Sequence, residues 1–518
     1  MITESAPLGS WSTTLLAAVV LGIISFSSFF ALRFRYWKNR GVPYIPPSFP
    51  FGNMRRCFLG KMSMGMNIAE IYKRMKSHRF VGIYALLRPV LVIIDPILVH
   101  CVLVKDFHMF YDRGMNLDET MPLNRQLFCL AGNNWKRLRL KLEPAFAPSK
   151  LKMMFPAMRK YAVDLCEVLE SAAATGDIAD MHELAARFTT DVIASLAFGV
   201  QANSLRNPDS EFRQWVRRIF MTSFTRMLSV VALFLSPTLF KILKLIGEKN
   251  PTSQYFIKLA RYTITFRESN NVTKNDYMQL LIQLRNVGTL DDDRGRNGVE
   301  DVGVIRWKLP LQDVEATALM FLITGFETSS ATLSFALHEL AVNQDIQRKL
   351  QDETDRTWAF TSDSVLQMRY LDKVVKETLR KYPVVPVLNR KACVDYKIPD
   401  SDVAIQKGTP VMISVYGLHR DPVFFPDPER FDPERFSKKI KIHPWAYLPF
   451  GDGPRNCIGM DFALLQVKLG LVHILSKFNV DICDRTKTGL QFSAKSFILA
   501  PDGGVPLRLS KRKSRRED

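Results

Sequence analysis

A mainly α-helical body with small β-sheets, preceded by one N-terminal transmembrane helix, is the fold class the sequence predicts. Three observations predict it. Residues Trp11–Leu32 carry no charge. Phe80–Tyr84 and Val90–Ile94 are β-branched runs bounded by turn formers or charge, the pattern of short strands. Asp313–Leu340 is apolar over much of its circumference, the mark of a deeply buried helix.

The N-terminal run has the length of a bilayer span. At ~1.5 Å per residue, Trp11–Leu32 rises roughly 33 Å, against a hydrocarbon core of about 30 Å. A cleaved signal peptide would carry its positive charge ahead of the apolar region. Here Arg33, Arg35, Lys38 and Arg40 follow it, which orients an uncleaved anchor with the rest of the chain in the cytosol. Gly41–Pro50 then holds four prolines, each fixing φ, and reads as a stiff spacer between anchor and body. The expected organisation is an anchor over 1–32, a basic and proline-rich linker over 33–53, one large domain over 54–509 and a basic tail over 510–518.

Composition narrows the function. The chain has 518 residues, 47 % of them hydrophobic, and a formal net charge of +20. No nucleic-acid-binding motif accompanies the charge, so it reads as a basic surface facing acidic partners or anionic lipid. Seven cysteines, an odd number with no C-x-x-C pair, describe a reduced protein rather than a disulfide scaffold. A G-x-S-x-G elbow, a Gly-rich dinucleotide loop and a Walker A motif are all missing, so a nicotinamide donor would have to be bound elsewhere. Asp291–Gly298 reads as a polar surface loop without calcium-ligand spacing. Met227–Leu235 is apolar, but Pro237, Lys241 and Lys244 disfavour a second span.

The chemistry concentrates at Cys457, within Phe450-Gly-Asp-Gly-Pro-Arg-Asn-Cys-Ile-Gly459. No second cysteine or histidine stands at zinc-like spacing, so a lone thiolate points to haem iron. Upstream, Thr324-Gly-Phe-Glu-Thr-Ser329 sets a poor helix former, Gly325, and two polar residues, Glu327 and Thr328, inside the apolar helix. Such local misfits signal function. Trp135 and Arg139 share a helix face at i, i+4, and Glu377 and Arg380 pair at i, i+3. Either pair alone would pass for an ordinary helix surface.

In order and spacing these elements resemble the cytochrome P-450 family: W-x-x-x-R at Trp135 and Arg139, the oxygen-binding element at Thr324–Ser329, E-x-x-R at Glu377 and Arg380, P-E-R-F through Arg435, and the haem loop at Cys457. A finer resemblance is to insect microsomal family-six enzymes, through Tyr36–Tyr44, Ser48–Asn53, Phe326–Ser330 and Arg380–Pro383. The resemblance implies the cytochrome P-450 fold, an α+β arrangement, and haem b ligated by the Cys457 thiolate. It places Trp135, Arg139, Arg390 and Arg455 on the haem propionates, and Phe450, Gly453 and Gly459 in the loop around the thiolate. Gly325 would leave room for dioxygen, and Thr328 with Glu327 would relay protons. Glu377, Arg380 and Arg435 would form a buried ionic network behind the loop. Thr324 and Asp461 depart from the family's usual residues.

The function so implied is monooxygenation of an apolar small molecule. Electrons would come from NADPH through the flavins of a cytochrome P-450 reductase, with cytochrome b5 as a further partner, at the endoplasmic reticulum membrane and facing the cytosol. Substrates would be xenobiotics such as insecticides or plant toxins, or else endogenous hormones, lipids or pheromones. The pocket would draw on Phe107–Leu130, Trp215–Phe240, Phe321 and Val384–Leu388. Two further readings stay open: an isomerase or dehydratase of the same fold, and a non-catalytic haem-binding or electron-carrier protein.

Overall fold

Strands form where β-branched residues cluster. β1 (Phe80–Ala85) and β2 (Arg88–Ile93) pair antiparallel, with Phe80 opposite Ile93 and Ala85 opposite Arg88, so both expected strands are present. β3 (Val387–Lys391) and β4 (Pro410–Ser414) complete a four-stranded sheet in the order β1-β2-β4-β3. Leu91 of β2 runs parallel beside Val411 of β4, and Leu388 of β3 lies antiparallel opposite Ile413. A smaller sheet joins Ile178–Asp180, Pro506–Lys511 and Phe478–Asp481. These are observed in a computed structural model that describes residues 8–115, 122–220, 228–229, 231–233, 237–246, 251–290 and 307–512. The loop expected over Asp291–Gly298 lies outside the described residues, as do Met227, Val230, Phe234 and Leu235 of the apolar run and the basic tail beyond 512.

Helices supply the rest. Those that matter for the site are α1 (Leu8–Arg33), α2 (Gly132–Leu142), α3 (Met181–Ile193), α4 (Glu211–Phe220), α5 (Leu311–Gly325), α6 (Glu327–Val342), α7 (Arg369–Lys381) and α8 (Met460–Lys477). Asp180 caps α3 by accepting the backbone N–H groups of His182 at 3.0 Å and Glu183 at 3.4 Å. One apolar cluster gathers the helices around Phe188, Phe321, Leu333, Leu371 and Leu471. A second gathers the large sheet around Val81, Ile83, Val92 and Ile413. Together they make the mainly α body with small sheets that the sequence predicts.

The buried helix expected over Asp313–Leu340 is two helices, α5 and α6, meeting at Phe326. The hydroxyl of Thr328 donates to the carbonyl of Thr324 at 2.6 Å, occupying an acceptor of the helical ladder.

The N-terminal expectation needs correction. Residues Leu8–Arg33 do form a helix, but among the described residues no helix is long and apolar enough to cross a membrane. The C-terminal end of α1 is committed to the protein. Phe30 meets the ring of Phe49 at 4.7 Å, and Phe34, just past the helix, meets Tyr84 of β1 at 5.1 Å. The transmembrane anchor is therefore withdrawn, and with it the endoplasmic reticulum placement and the cytosolic orientation that rested on it.

The linker also differs from a free spacer. Trp37, Val42 and Ile45 are buried in the sheet cluster. Trp37 donates its indole N–H to the carbonyl of Ile83 at 2.9 Å. Its ring lies flat over Gly82, where a Cβ would fall 2.4 Å from the indole, so β1 needs glycine there. Residues 37–45 belong to the body they were expected to hold at a distance.

Candidate functional site

The haem-loop cysteine is positioned by backbone before any ligand is considered. Gly451 and Gly453 adopt φ of +71° and +69°, conformations that favour glycine. A Cβ on Gly453 would also fall 2.0 Å from the carbonyl oxygen of Leu103. Asp452 accepts the Gly453 N–H at 2.7 Å, and the Cys457 N–H donates to the carbonyl of Phe450 at 2.9 Å, closing the loop on itself. Gly459 then caps α8. Arg139 of α2 donates to the Asn456 carbonyl and to its side-chain oxygen, both at 2.9 Å. W-x-x-x-R and the cysteine loop are thus joined directly.

Cys457 is enclosed by protein on one side, and its side chain opens onto a large cavity on the other. Burial pushes its thiol up. The Gly459 N–H, Arg139 and Arg113 oppose the rise, and Asp461 adds to it. A bound metal would override this balance, because a coordinated thiol is deprotonated.

The same cavity is lined by Arg113, Arg390 and Arg455. Arg390 is 2 % exposed and Arg455 3 %. Burial lowers all three below the usual guanidinium range, Arg113 to about 10 and Arg455 to about 9; repulsion from Arg113 adds to it at Arg390 and Arg455, and repulsion from Arg139 adds to it at Arg113. The nearby carboxylate, Asp112, is engaged by Lys391 at 2.7 Å. Among the described residues, Nε of Arg113, Nε of Arg390, and Nε and Nη1 of Arg455 are buried without a hydrogen-bond partner. Buried cations left in this way call for an anion. Two carboxylates on one edge of a flat apolar ring system would satisfy them, so the donor set fits haem b: Arg113, Arg390 and Arg455 would hold its propionates and Cys457 would ligate its iron. Trp135 stacks under Arg455, with the guanidinium 4.3 Å from its ring centre.

The expected residues sort into groups. Trp135, Arg139, Arg390, Phe450, Arg455, Cys457 and Gly459 line the cavity together, as do Gly325 and Thr328 from the α5–α6 junction. Gly453 stands behind, shaping the loop. The missing side chain of Gly325 points at Ile193 of α3, where a Cβ would meet a methyl at 2.8 Å. Thr324 lines the cavity and satisfies its hydroxyl on the carbonyl of Met320 at 2.8 Å. Glu327 turns away from the cavity toward α3. Trp215, expected at the pocket, stacks on Tyr255 at 4.9 Å instead. Arg113 was missed by the sequence reading. An arginine before a glycine reads as a turn, and nothing in Tyr111-Asp112-Arg113-Gly114 announces a guanidinium that donates to the Arg455 carbonyl at 3.2 Å and keeps a buried Nε without a hydrogen-bond partner.

The ionic network lies behind the loop. Arg380 donates Nε and Nη2 to the two oxygens of Glu377 at 2.7 and 2.8 Å, both residues being fully buried. Arg380 also donates to the carbonyls of His419 at 3.0 Å and Arg430 at 3.3 Å. Glu377 accepts the Asp432 N–H at 2.9 Å and faces Arg435 Nε at 3.4 Å. His419 carries the network to the loop. Its Nε2 accepts the Leu448 N–H at 2.8 Å, which leaves Nδ1 to donate to the Arg380 carbonyl at 3.2 Å.

Burial, with Arg380 beside it, lowers His419 to about 3, and burial lowers His473 to about 4. The unfolded chain therefore binds protons near pH 6.5 that the folded chain refuses. The stability is fully present above about pH 6.5 and is lost as pH falls toward 4, at about 1.4 kcal/mol per pH unit for each histidine. Denaturant titrations at pH 7.5 and 5.5 should show the loss. His419→Gln should shrink it; an unchanged slope would contradict the assignment.

A fold of this topology, with a thiolate loop and unpaired arginines around one apolar cavity, defines a haem-thiolate protein. The chain belongs to the cytochrome P450 family, within its insect family-six group. The family described as Cytochrome P450 matches residues 46–507. Cytochrome P450 6k1 of Blattella germanica is 41 % identical over 510 residues, covering 96 % of this chain and 97 % of that one. Cytochrome P450 6a2 of Drosophila melanogaster is 40 % identical over 494 residues, covering 92 % and 96 %. Cytochrome P450 6j1 of Blattella germanica is 38 % identical over 512 residues, covering 97 % and 99 %.

Proposed function

We propose that this protein inserts one oxygen atom of O₂ into apolar small molecules, in particular xenobiotics of the insecticide and plant-toxin class, using electrons from NADPH delivered by a partner reductase. The observation that carries it is the cluster of unpaired buried arginines facing the same cavity as Cys457. Haem b, when bound, supplies the activation of oxygen, with the thiolate favouring O–O cleavage.

The chain's own groups do the rest. Cys457 would ligate the iron of the bound haem, and Arg113, Arg390 and Arg455 would hold its carboxylates through charge-assisted hydrogen bonds. Arg139 fixes the loop by gripping Asn456. Leu127, Phe128, Phe321, Val384, Val385 and Leu388 line the cavity with apolar surface that binds a hydrophobic substrate and excludes water. Thr328 presents a hydroxyl to the cavity, where it can hold and pass a proton. The exposed Lys136 and Arg137 on α2 offer positive charge on the Cys457 side of the molecule, which suits an acidic flavoprotein or cytochrome b5.

The test is a carbon monoxide difference spectrum of the reduced, haem-loaded protein. A Soret band displaced far to the red is the expected result, followed by NADPH- and O₂-dependent oxygenation once reductase is added. A band at the position typical of histidine-ligated haem would overturn the reading. Turnover that needs neither NADPH nor O₂ would favour the isomerase alternative.

A further inference from the structure

Three threonines line the cavity one helical turn apart: Thr324 from α5, then Thr328 and Thr332 from α6. Each hydroxyl has committed its one hydrogen to the chain. Thr324 donates to the Met320 carbonyl at 2.8 Å, Thr328 to the Thr324 carbonyl at 2.6 Å, and Thr332 to the Thr328 carbonyl at 2.8 Å. A hydroxyl bonded in this way keeps its lone pairs and has no hydrogen left to give. These helices therefore present the cavity with a row of oxygens that can only accept.

The three positions are not equivalent. Thr332 is 5 % exposed and Thr328 is half-buried, whereas Thr324 is exposed. Among the described residues no side chain donates to the Thr324 hydroxyl. Phe321, on the preceding turn of α5, lines the same cavity, as do Leu127, Phe128, Val384 and Leu388. The arginines at the cavity are the donors that the haem carboxylates require. Thr324 is thus an open acceptor among apolar side chains.

That arrangement discriminates between ligands. A ligand without a donor strips water from the Thr324 oxygen and returns nothing, which costs free energy. A ligand with a hydroxyl or an N–H replaces the lost hydrogen bond. The bond would also fix where the ligand sits, because Thr324 lies one turn, ~5.4 Å along the axis, from Thr328. The acceptor belongs to this chain in particular, since Thr324 departs from the residue usual at its position.

We infer that Thr324 is a specificity-determining residue whose hydroxyl oxygen accepts a hydrogen bond from the substrate. The favoured substrates are apolar molecules that carry a hydroxyl or N–H group, over hydrocarbons, ethers and halides of the same shape. This rests on the reading of the cavity as a pocket for apolar small molecules.

The test is calorimetric titration of the full haem-loaded chain with para-hydroxybiphenyl and para-fluorobiphenyl, two probes of nearly equal shape of which only the first has a donor. The quantity read is the ratio of their Kd values in each protein. Thr324→Val keeps the branched shape and removes the oxygen; it should shift the ratio against para-hydroxybiphenyl by roughly three- to tenfold. Thr324→Ser keeps the oxygen and should leave the ratio near its parental value. Thr324→Ala removes the oxygen in a better helix former, and serves if the valine variant folds poorly. An unchanged ratio in the variants without the oxygen, or equal weakening of both probes, would overturn the assignment, as would a parent protein that binds neither probe. A histidine-like Soret band in the parent protein would instead overturn the monooxygenase reading and leave the binding ratio standing.

Discussion

Cys457→His is expected to end NADPH-dependent oxygenation, a loss of about 10³-fold or more, and to bring the reduced carbon monoxide band back to the histidine-haem position. The loop should survive the change. Its shape is held by the Cys457 N–H on the Phe450 carbonyl, by Arg139 on Asn456 and by the positive φ of Gly451 and Gly453, none of which uses the sulfur. Haem should still bind, because the arginines that take its carboxylates are untouched. Lost turnover at near-parental thermal stability, with haem retained, is therefore the signature. Cys483→Ser is the control: Cys483 lies against the Thr486 hydroxyl at 3.3 Å, away from the cavity, and its replacement should leave the spectrum unchanged. Substantial oxygenation by Cys457→His would refute the role given to the thiolate.

The features legible in the sequence share a cause. Cys457, the glycines around it, Glu377 with Arg380, and Trp135 with Arg139 are fixed by local geometry, so their spacing survives in the chain as a pattern. The strands at 80–94 were legible for the same reason. What escaped depends on which way a side chain faces. Arg113 is unremarkable as a residue type and becomes informative only when buried beside Arg390 and Arg455. Glu327 looked like a partner of Thr328 because the two are adjacent, but successive residues on a helix point about 100° apart, and Glu327 faces His182. The N-terminal anchor was read from hydropathy, which scores Phe30 and the neighbouring Phe34 as lipid-facing when they pack on Phe49 and Tyr84.

The other large effect is expected from Glu377→Gln. Arg380 has 0 % exposure, and its Nε and one Nη depend on Glu377. Removing the negative charge leaves a buried guanidinium whose remaining partners, the carbonyls of His419 and Arg430, are neutral. Breaking a buried pair from one side costs about 3–5 kcal/mol, a large share of the stability of any domain. Arg380→Met should cost a similar amount, because Glu377 would keep only the Asp432 N–H and a 3.4 Å approach from Arg435. The double variant Glu377→Gln/Arg380→Met should cost clearly less than the sum of the two, since no buried charge is then left unpaired. Denaturant melts of the four proteins, haem-loaded, give that coupling energy directly. The damage should also reach Cys457. Arg380 is tied to His419 through both carbonyls, and His419 holds the Leu448 N–H at the start of the haem loop. Haem loss at a lower denaturant concentration than global unfolding is therefore expected in each single variant. If the two costs simply add and haem leaves only with global unfolding, the pair contributes no more than two independent polar residues, and its role in holding the loop falls.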